Sequence, residues 1–342
     1  MSILFLAIQM AISQYVKLDT VYHYRLNYNM FLDNQRSIEV VIDEIADAIK
    51  GNSLQDYIIL IGNSVAWGTN ESSDHSLGRY INELSGKQTV FNLSAPSMQP
   101  GDIYTLLLML ERAGIATDNL IIGLSYSAFN ERSNGPRAVF WLGDYLRELD
   151  SEAFHKVRPQ LVRNGYEYVT GWRYVETKYL HQALSALPLY QYRDAIVSHL
   201  EQQKEGTDLL GDPRPWFKKA YSAKQLENPQ YLNFFNPTPF DMTEENWGVY
   251  FMNRILEHQQ GKQTLVFMNS SNGELSKKEI AHPGYQSNLE LLEGYFGQSG
   301  ANYLNLQGDI PSEMFTDHVH LTKEGNQKLA QLLWQAWISE EN

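Results

Sequence analysis

Tyr57-Ile58-Ile59-Leu60-Ile61 is an unbroken apolar run closed by Gly62. No polar residue alternates with the apolar ones, so a strand built from it must be buried on both faces, as in a parallel sheet covered by helices. The rest of the chain supplies the partners. Val90-Phe91-Asn92-Leu93, Asn119-Leu120-Ile121-Ile122-Gly123-Leu124, Thr264-Leu265-Val266-Phe267-Met268 and Asn302-Tyr303-Leu304-Asn305-Leu306 are further candidate strands. Helical spacing lies between them. Residues 36–50 carry Ile38, Val41, Ile42, Ile45, Ala46 and Ile49, and Gly51-Asn52 ends that helix. Residues 102–113 carry Ile103, Leu106, Leu107 and Leu110, and residues 285–298 carry Leu289, Leu291, Leu292 and Phe296. A last helix starts near Thr322, a plausible N-cap, and buries Leu329, Leu332, Leu333 and Trp337. Strand and helix in alternation predict an α/β three-layer sandwich around a mainly parallel, flavodoxin-like five-stranded sheet. Sites on such sheets lie at the carboxyl ends of the strands.

Residues 131–262 break the rhythm. They hold Trp141, Trp172, Trp216 and Trp247, many tyrosines, and the turn-rich Gly211-Asp212-Pro213-Arg214-Pro215 and Asn236-Pro237-Thr238-Pro239. We expect a helical insertion packed over the carboxyl edge of the sheet, in a single domain spanning 19–342. Most of its aromatics are expected to fill a second core, with a few left to line a groove for a sugar or an acyl chain.

Composition narrows the partners. A formal net charge of -13 over 342 residues argues against nucleic acid and against anionic membrane surfaces, which require clustered Lys and Arg. The chain has no cysteine, which excludes disulfides and thiolate metal sites and leaves the compartment open. Ile3 to Ile12 is mostly apolar, but Gln14 and Lys17 follow. A spanning helix takes about 20 apolar residues. Residues 1–18 therefore read either as a first helix, amphipathic or buried, or as the remnant of a membrane anchor.

Two motifs carry chemistry. Ser64 follows the first strand in Gly62-Asn63-Ser64, and Asp317-His318-Val319-His320 precedes the last helix. A serine becomes a nucleophile when a base takes its proton, and the base needs a partner to fix its tautomer. Ser64 as nucleophile, His320 as base and Asp317 as orienting carboxylate fill these roles if the fold unites them. Taken singly, Ser64 reads as a helix N-cap and Asp317 as a cap of the last helix. The lipase-type Gly-x-Ser-x-Gly elbow is absent, since Val65-Ala66-Trp67-Gly68 follows Ser64.

These blocks resemble those of the GDSL-like, or SGNH, hydrolase superfamily. The resemblance covers residues 36–130 and 262–340 and leaves out the insertion. It implies an acyl-ester hydrolase or O-acyltransferase working through an acyl-Ser64 intermediate, with neither cofactor nor metal. It also implies an oxyanion hole from the backbone N–H of Ser64, the backbone N–H of Ser97 in the second block, and Ser127 or Asn130 in the third. Ser97 stands where the family has glycine, Ser127 where it has asparagine, and Asn63 where it has aspartate. Such departures resemble those of membrane-anchored envelope relatives that acylate or deacylate extracellular polysaccharides or teichoic acids. The expected substrate is then an acylated small molecule or polysaccharide, and the expected location is membrane-anchored and extracytoplasmic, with the cytoplasm still open. A second class stays open too: an inactive protein of this fold that binds or assembles glycans.

The other polar groups invite blander expectations. His318 and His320 with Asp317 have no third or fourth ligand in view for a metal. His75 reads as part of a polar surface loop, His282-Pro283-Gly284 as a turn, and Arg132 and Arg137 as solvated charges.

Overall fold

A computed structural model describes residues 11–12, 16–86, 89–130, 138–163, 165, 171–185, 187–194, 196–197, 209–220 and 233–339. Arg132, Arg137, most of the apolar N-terminal run and parts of the 131–262 segment lie outside them. In chain order the main elements are α1 (Ile38–Gly51), β1 (Tyr57–Gly62), the one-turn α2 (Ser64–Trp67), α3 (Leu77–Ser85), β2 (Thr89–Asn92), α4 (Pro100–Arg112) and β3 (Asn119–Leu124). Then come α5 (Gly143–Leu149), α6 (Ser151–Arg163), α7 (Gly171–Ser185), α8 (Trp247–His258), β4 (Gln263–Met268), α9 (Pro283–Gly297), β5 (Asn302–Asn305) and α10 (Lys323–Ser339).

The five strands form one sheet in the order β2-β1-β3-β4-β5, and every pairing is parallel. This is an α/β fold with flavodoxin-like strand order. All six residues of β1 are buried, as its unbroken apolar run requires. Side chains alternate between two cores, because successive strand residues face opposite ways. Ile59, Ile61, Leu120, Ile122 and Val266 join the larger core with α1, α4, α8 and α9. Ile58, Leu60, Ile121, Leu265 and Phe267 join the smaller one with α3 and α10. The outer edge of β2 is covered by residues 22–26. Leu26 N–H donates to the Asn92 carbonyl, and the Tyr22 hydroxyl accepts from Asn92 N–H.

Helix boundaries shift from the expected ones by one or two residues. Pro100, the N1 residue of α4, explains the earlier start there, since proline has no N–H to lose in a first turn. The segment between β3 and β4 divides. Its first part, α5 and α6, buries Tyr145, Leu146, Phe154, Val157 and Leu161 in the larger core. A later part, residues 209–220, lies against the loop that carries Asp317. Trp172 on α7 is 85 % exposed. Among the described residues, no helix is long and apolar enough to cross a membrane.

One close approach sets the rim. Gly62 and Gly123 are register partners on β1 and β3. A Cβ at Gly62 would lie 2.7 Å from the Gly123 carbonyl oxygen and 2.8 Å from Ala66 Cβ. Glycine at that point lets α2 fold directly back over the strand ends.

Candidate active site

β1 ends at Gly62, and the chain turns at once into α2. Asn63 is extended (φ -88°, ψ -160°), and its side-chain oxygen accepts from Val65 N–H at 3.0 Å. Asn63 is thus the N-cap, an Asx cap that satisfies one of the helix's orphan donors. The capping role weighed for Ser64 falls to its neighbour, and Ser64 takes the first helical position. The same Asn63 oxygen accepts from Asn269 Nδ2 at 3.0 Å. Asn269 follows β4 as Ser64 follows β1, so the cap is braced from across the sheet. The far end of the turn closes at Gly68, which is left-handed (φ 87°). Arg25 lies 3.5 Å over the Trp67 ring and donates to the carbonyls of Trp67, Gly68 and Glu71.

The loop before α10 is a second rigid piece. Phe315 and Leu321 form an antiparallel bridge. Thr316 N–H donates to the His320 carbonyl at 2.8 Å, and Thr322 N–H to the Met314 carbonyl at 2.9 Å. Thr322 caps α10 as expected, its hydroxyl accepting from Gly325 N–H. Within this loop Asp317 Oδ1 accepts from the backbone N–H groups of Val319 and His320, at 2.9 and 2.8 Å. Its Oδ2 lies 2.7 Å from His320 Nδ1. Asp317 therefore organises its own loop and does not cap the helix.

These two pieces meet. His320 Nε2 lies 2.9 Å from Ser64 Oγ, a contact across 256 positions of sequence. With Nδ1–H donating to a carboxylate, Nε2 is left as the acceptor facing the hydroxyl. The electrostatics agree. Burial by itself raises a carboxyl group, but the charge and N–H bonds of His320, with His318 nearby, hold Asp317 well below the usual carboxylate range. Asp317 is ionised and positioned to steady an imidazolium. His318 is also buried. Burial lowers it to about 4, although Asp317 pulls the other way and its Nδ1 is 3.8 Å from Asp317 Oδ1. Its ring packs against Phe234 at 5.3 Å between centroids. At neutral pH His318 is an uncharged wall of the site.

The remaining expected residues sit on neighbouring rim loops. Ser97 follows β2 in the turn Ala95-Pro96-Ser97-Met98, closed by Met98 N–H to the Ala95 carbonyl at 3.2 Å. Its φ is 67°. A proline followed by a residue with positive φ is a type II turn, a position that suits glycine. Trp141 Nε1–H donates to the Pro96 carbonyl at 2.7 Å and pins the turn from outside. Trp141 is itself fixed through its backbone N–H, which Asp102 Oδ1 accepts at 2.8 Å. Asp102, wholly buried, also accepts from Gln99, Phe140 and Leu142 N–H. Ser127 is buried in the 3₁₀ turn Tyr126–Phe129 after β3, with its hydroxyl 3.2 Å from that of Ser125. Asn130 is buried at the end of the same turn. The structure joins Ser64, Asp317 and His320 in one hydrogen-bonded chain. Among the described residues no hydrogen bond ties Ser97 or Ser127 to it.

His75 is half-buried and contacts the Tyr80 hydroxyl through Nδ1 at 3.1 Å, so it is part of the fold more than of a surface loop. His282 is the N-cap of α9, its Nδ1 accepting from Gly284 N–H. No group of three or more His, Asp or Glu among the described residues is arranged to hold a metal ion. The sequence did not single out Asn269, and it marked residues 211–216 only as a turn-rich, Trp-bearing part of the insertion. Asn269 carried a signal, its place directly after a buried strand. The turn signal in 211–215 did not say which loop the segment meets, because its contacts with Ser312 and Thr316 are long-range.

No family model matches the chain, and no curated protein matches it. Among solved structures the chain is similar to one described as "a putative arylesterase from Agrobacterium tumefaciens". The two share 10% identity over 82% of this chain and 97% of that one, with a TM-score of 0.35. A likeness at that level does not bear on the chemistry.

Proposed function

We propose that this chain is a serine-dependent acyl-ester hydrolase or O-acyltransferase of the SGNH kind, acting through an acyl-Ser64 intermediate. The observation that carries this is the unbroken relay from Asp317 Oδ2 through both nitrogens of His320 to Ser64 Oγ, at 2.7 and 2.9 Å. Ser64 Oγ attacks the ester carbonyl while His320 Nε2 takes its proton, and Asp317 stabilises the imidazolium. The carbonyl oxygen becomes an oxyanion, and the backbone N–H of Ser64 is the first donor assigned to it. The N–H of Ser97 and either Ser127 or Asn130 are the further donors. The intermediate collapses, the ester C–O bond breaks, and His320 returns the proton to the leaving alkoxide. A water or a sugar hydroxyl then gives its proton to His320 and attacks the acyl carbonyl, releasing Ser64. Water as acceptor makes an esterase, and a glycan hydroxyl makes a transferase.

The substrate class follows from the resemblance to envelope O-acyl enzymes and from the acidic chain, which disfavours polyanions. We take it to be an O-acylated carbohydrate or a small acyl ester. One feature favours the alternative of an inactive glycan binder: the Ser127 hydroxyl, which the resemblance assigns to the oxyanion hole, shares a hydrogen bond of 3.2 Å with the Ser125 hydroxyl, in which either can donate. A fluorophosphonate probe separates the two. Covalent labelling of wild type that vanishes in Ser64→Ala is the expected result, and a folded wild type that takes no label overturns the enzymatic reading.

A further inference from the structure

Lys219 lies at the end of the 209–220 segment, on none of the motifs that define the relay. Its ammonium donates to two main-chain carbonyls, Asp212 at 2.7 Å and Thr316 at 2.8 Å. Thr316 is the residue before Asp317. The same segment grips the relay loop elsewhere. Trp216 N–H donates to the Phe315 carbonyl at 2.9 Å, and Trp216 Nε1–H to the Ser312 carbonyl at 2.8 Å. On the opposite side Asn70 Nδ2 donates to Thr316 Oγ1 at 2.8 Å. The backbone entering Asp317 is thus held from both sides, and Lys219 is the charged member of the set.

The charge has no close carboxylate to spend itself on. Asp212, the nearest on its own segment, is engaged by Arg214, whose Nε lies 3.0 Å from both carboxylate oxygens and whose second terminal nitrogen lies 2.7 Å from Oδ2. Lys219 makes no ion pair with any described residue, and it is half-buried. Burial lowers it from the usual lysine range, while Asp212 and Asp317 pull it back up. The charged and titratable groups around the loop are Asp317, His318 and His320 on the loop itself, and Asp212, Arg214 and Lys219 on the segment. Glu71, whose Oε1 accepts from Lys323 N–H, lies on the turn after α2, and Lys323 and Glu324 open α10. Of these cations, Lys219 is the one that bonds the main chain next to Asp317.

We propose that Lys219 is a positioning residue for the relay: it clamps the Thr316 carbonyl to hold the Asp317–His320 loop in register, and its charge favours the neutral, proton-accepting form of the site. This rests on the enzymatic reading for its kinetic part and on the hydrogen bonds alone for its mechanical part. A fixed cation beside an acid–base pair disfavours taking up a further proton.

The test uses the full chain with Lys219→Met, which removes clamp and charge, and Lys219→Arg, which keeps the charge and can regain a carbonyl bond. Amide hydrogen exchange of residues 315–321 should quicken by about tenfold in Lys219→Met and return towards wild type in Lys219→Arg. The acid limb of kcat/KM for a small aryl ester should move up by up to about one pH unit in Lys219→Met, with KM nearly unchanged. Lys219→Arg should keep the wild-type limb. Exchange and pH profile both unchanged in a folded Lys219→Met protein overturn the proposal. If Lys219→Met does not fold, Lys219→Gln replaces it, with the same expectations and the same contradicting result. The exchange measurement needs no turnover. Quickened exchange in a protein that never labels at Ser64 therefore leaves the clamp standing and removes only the enzymatic reading.

Discussion

The two sides of the strand-end rim are built on different principles. On the side of Ser64 and the Asp317–His320 loop, side chains do the positioning. Each functional atom is fixed by a hydrogen bond of 2.9 Å or less, and each supporting residue is braced in turn: Asn63 by Asn269, and Thr316 by Asn70 and Lys219. On the side of the loops after β2 and β3, main-chain bonds close each turn, and the Trp141 side chain pins the first from outside. In the Ser97 turn the serine side chain is exposed, and in the 3₁₀ turn of Ser127 it is shared with Ser125. An acid–base relay depends on specific functional groups, so substitution there removes the chemistry. The oxyanion hole proposed for those loops would draw on N–H groups that every residue but proline carries, which tolerates drift in sequence.

Substitutions on the two sides should therefore differ in size. The largest effects belong to the relay. Ser64→Ala or His320→Ala should lower ester turnover by about 10⁴-fold or more, and Asp317→Asn by about 10⁴-fold through loss of the correct tautomer. Circular dichroism should show each variant folded. A drop of less than tenfold in any of them would erase the contrast. On the other side, Ser127→Ala should lower kcat by about 10²-fold if its hydroxyl serves the oxyanion. Unchanged kcat would hand that place to backbone groups or to Asn130, and would sharpen the contrast.

Stability carries the next effect. His318 is held neutral, at about 4 when folded against 6.5 unfolded. The unfolded chain takes up the proton first as pH falls, so this stabilisation is complete above about 6.5 and is lost between there and about 4. It amounts to roughly 3 kcal/mol at most. Asp317 is depressed as well. Its contribution is present above the unfolded carboxyl value and goes only at still lower pH. The apparent Tm of wild type should fall more steeply between pH 6.5 and 4.5 than that of His318→Phe, and parallel curves would contradict this. The smallest effect is at Ser97. Relief of its positive φ in Ser97→Gly should stabilise by about 0.5–1 kcal/mol with activity unchanged, as thermal unfolding and ester assays would show. A loss of activity there would mean the serine side chain itself works.

The sheet and the contact of Ser64, His320 and Asp317 were legible in the sequence because each has a local mark. β1 is wholly apolar, which fixes burial on both faces. Ser64 stands directly after it, and Asp317 and His320 have the spacing that lets a carboxylate reach one ring nitrogen while it also binds the His320 N–H. The rest required the fold. Nothing in the local sequence says that Asn269 braces Asn63 from β4, that Lys219 binds the Thr316 carbonyl, or that Asp102 gathers four N–H groups from α4's cap and from 140–142. Ser97 is an intermediate case. The resemblance marks Ser97, but its left-handed φ of 67° appears only in the folded turn.

The relay itself is tested most directly by trapping its intermediate. An activated acyl ester mixed with the protein and quenched within the first turnover should leave one acyl group per chain, located by peptide mass spectrometry on Ser64, and none on Ser64→Ala. Acylation at another residue, or turnover undiminished in Ser64→Ala, would contradict the account.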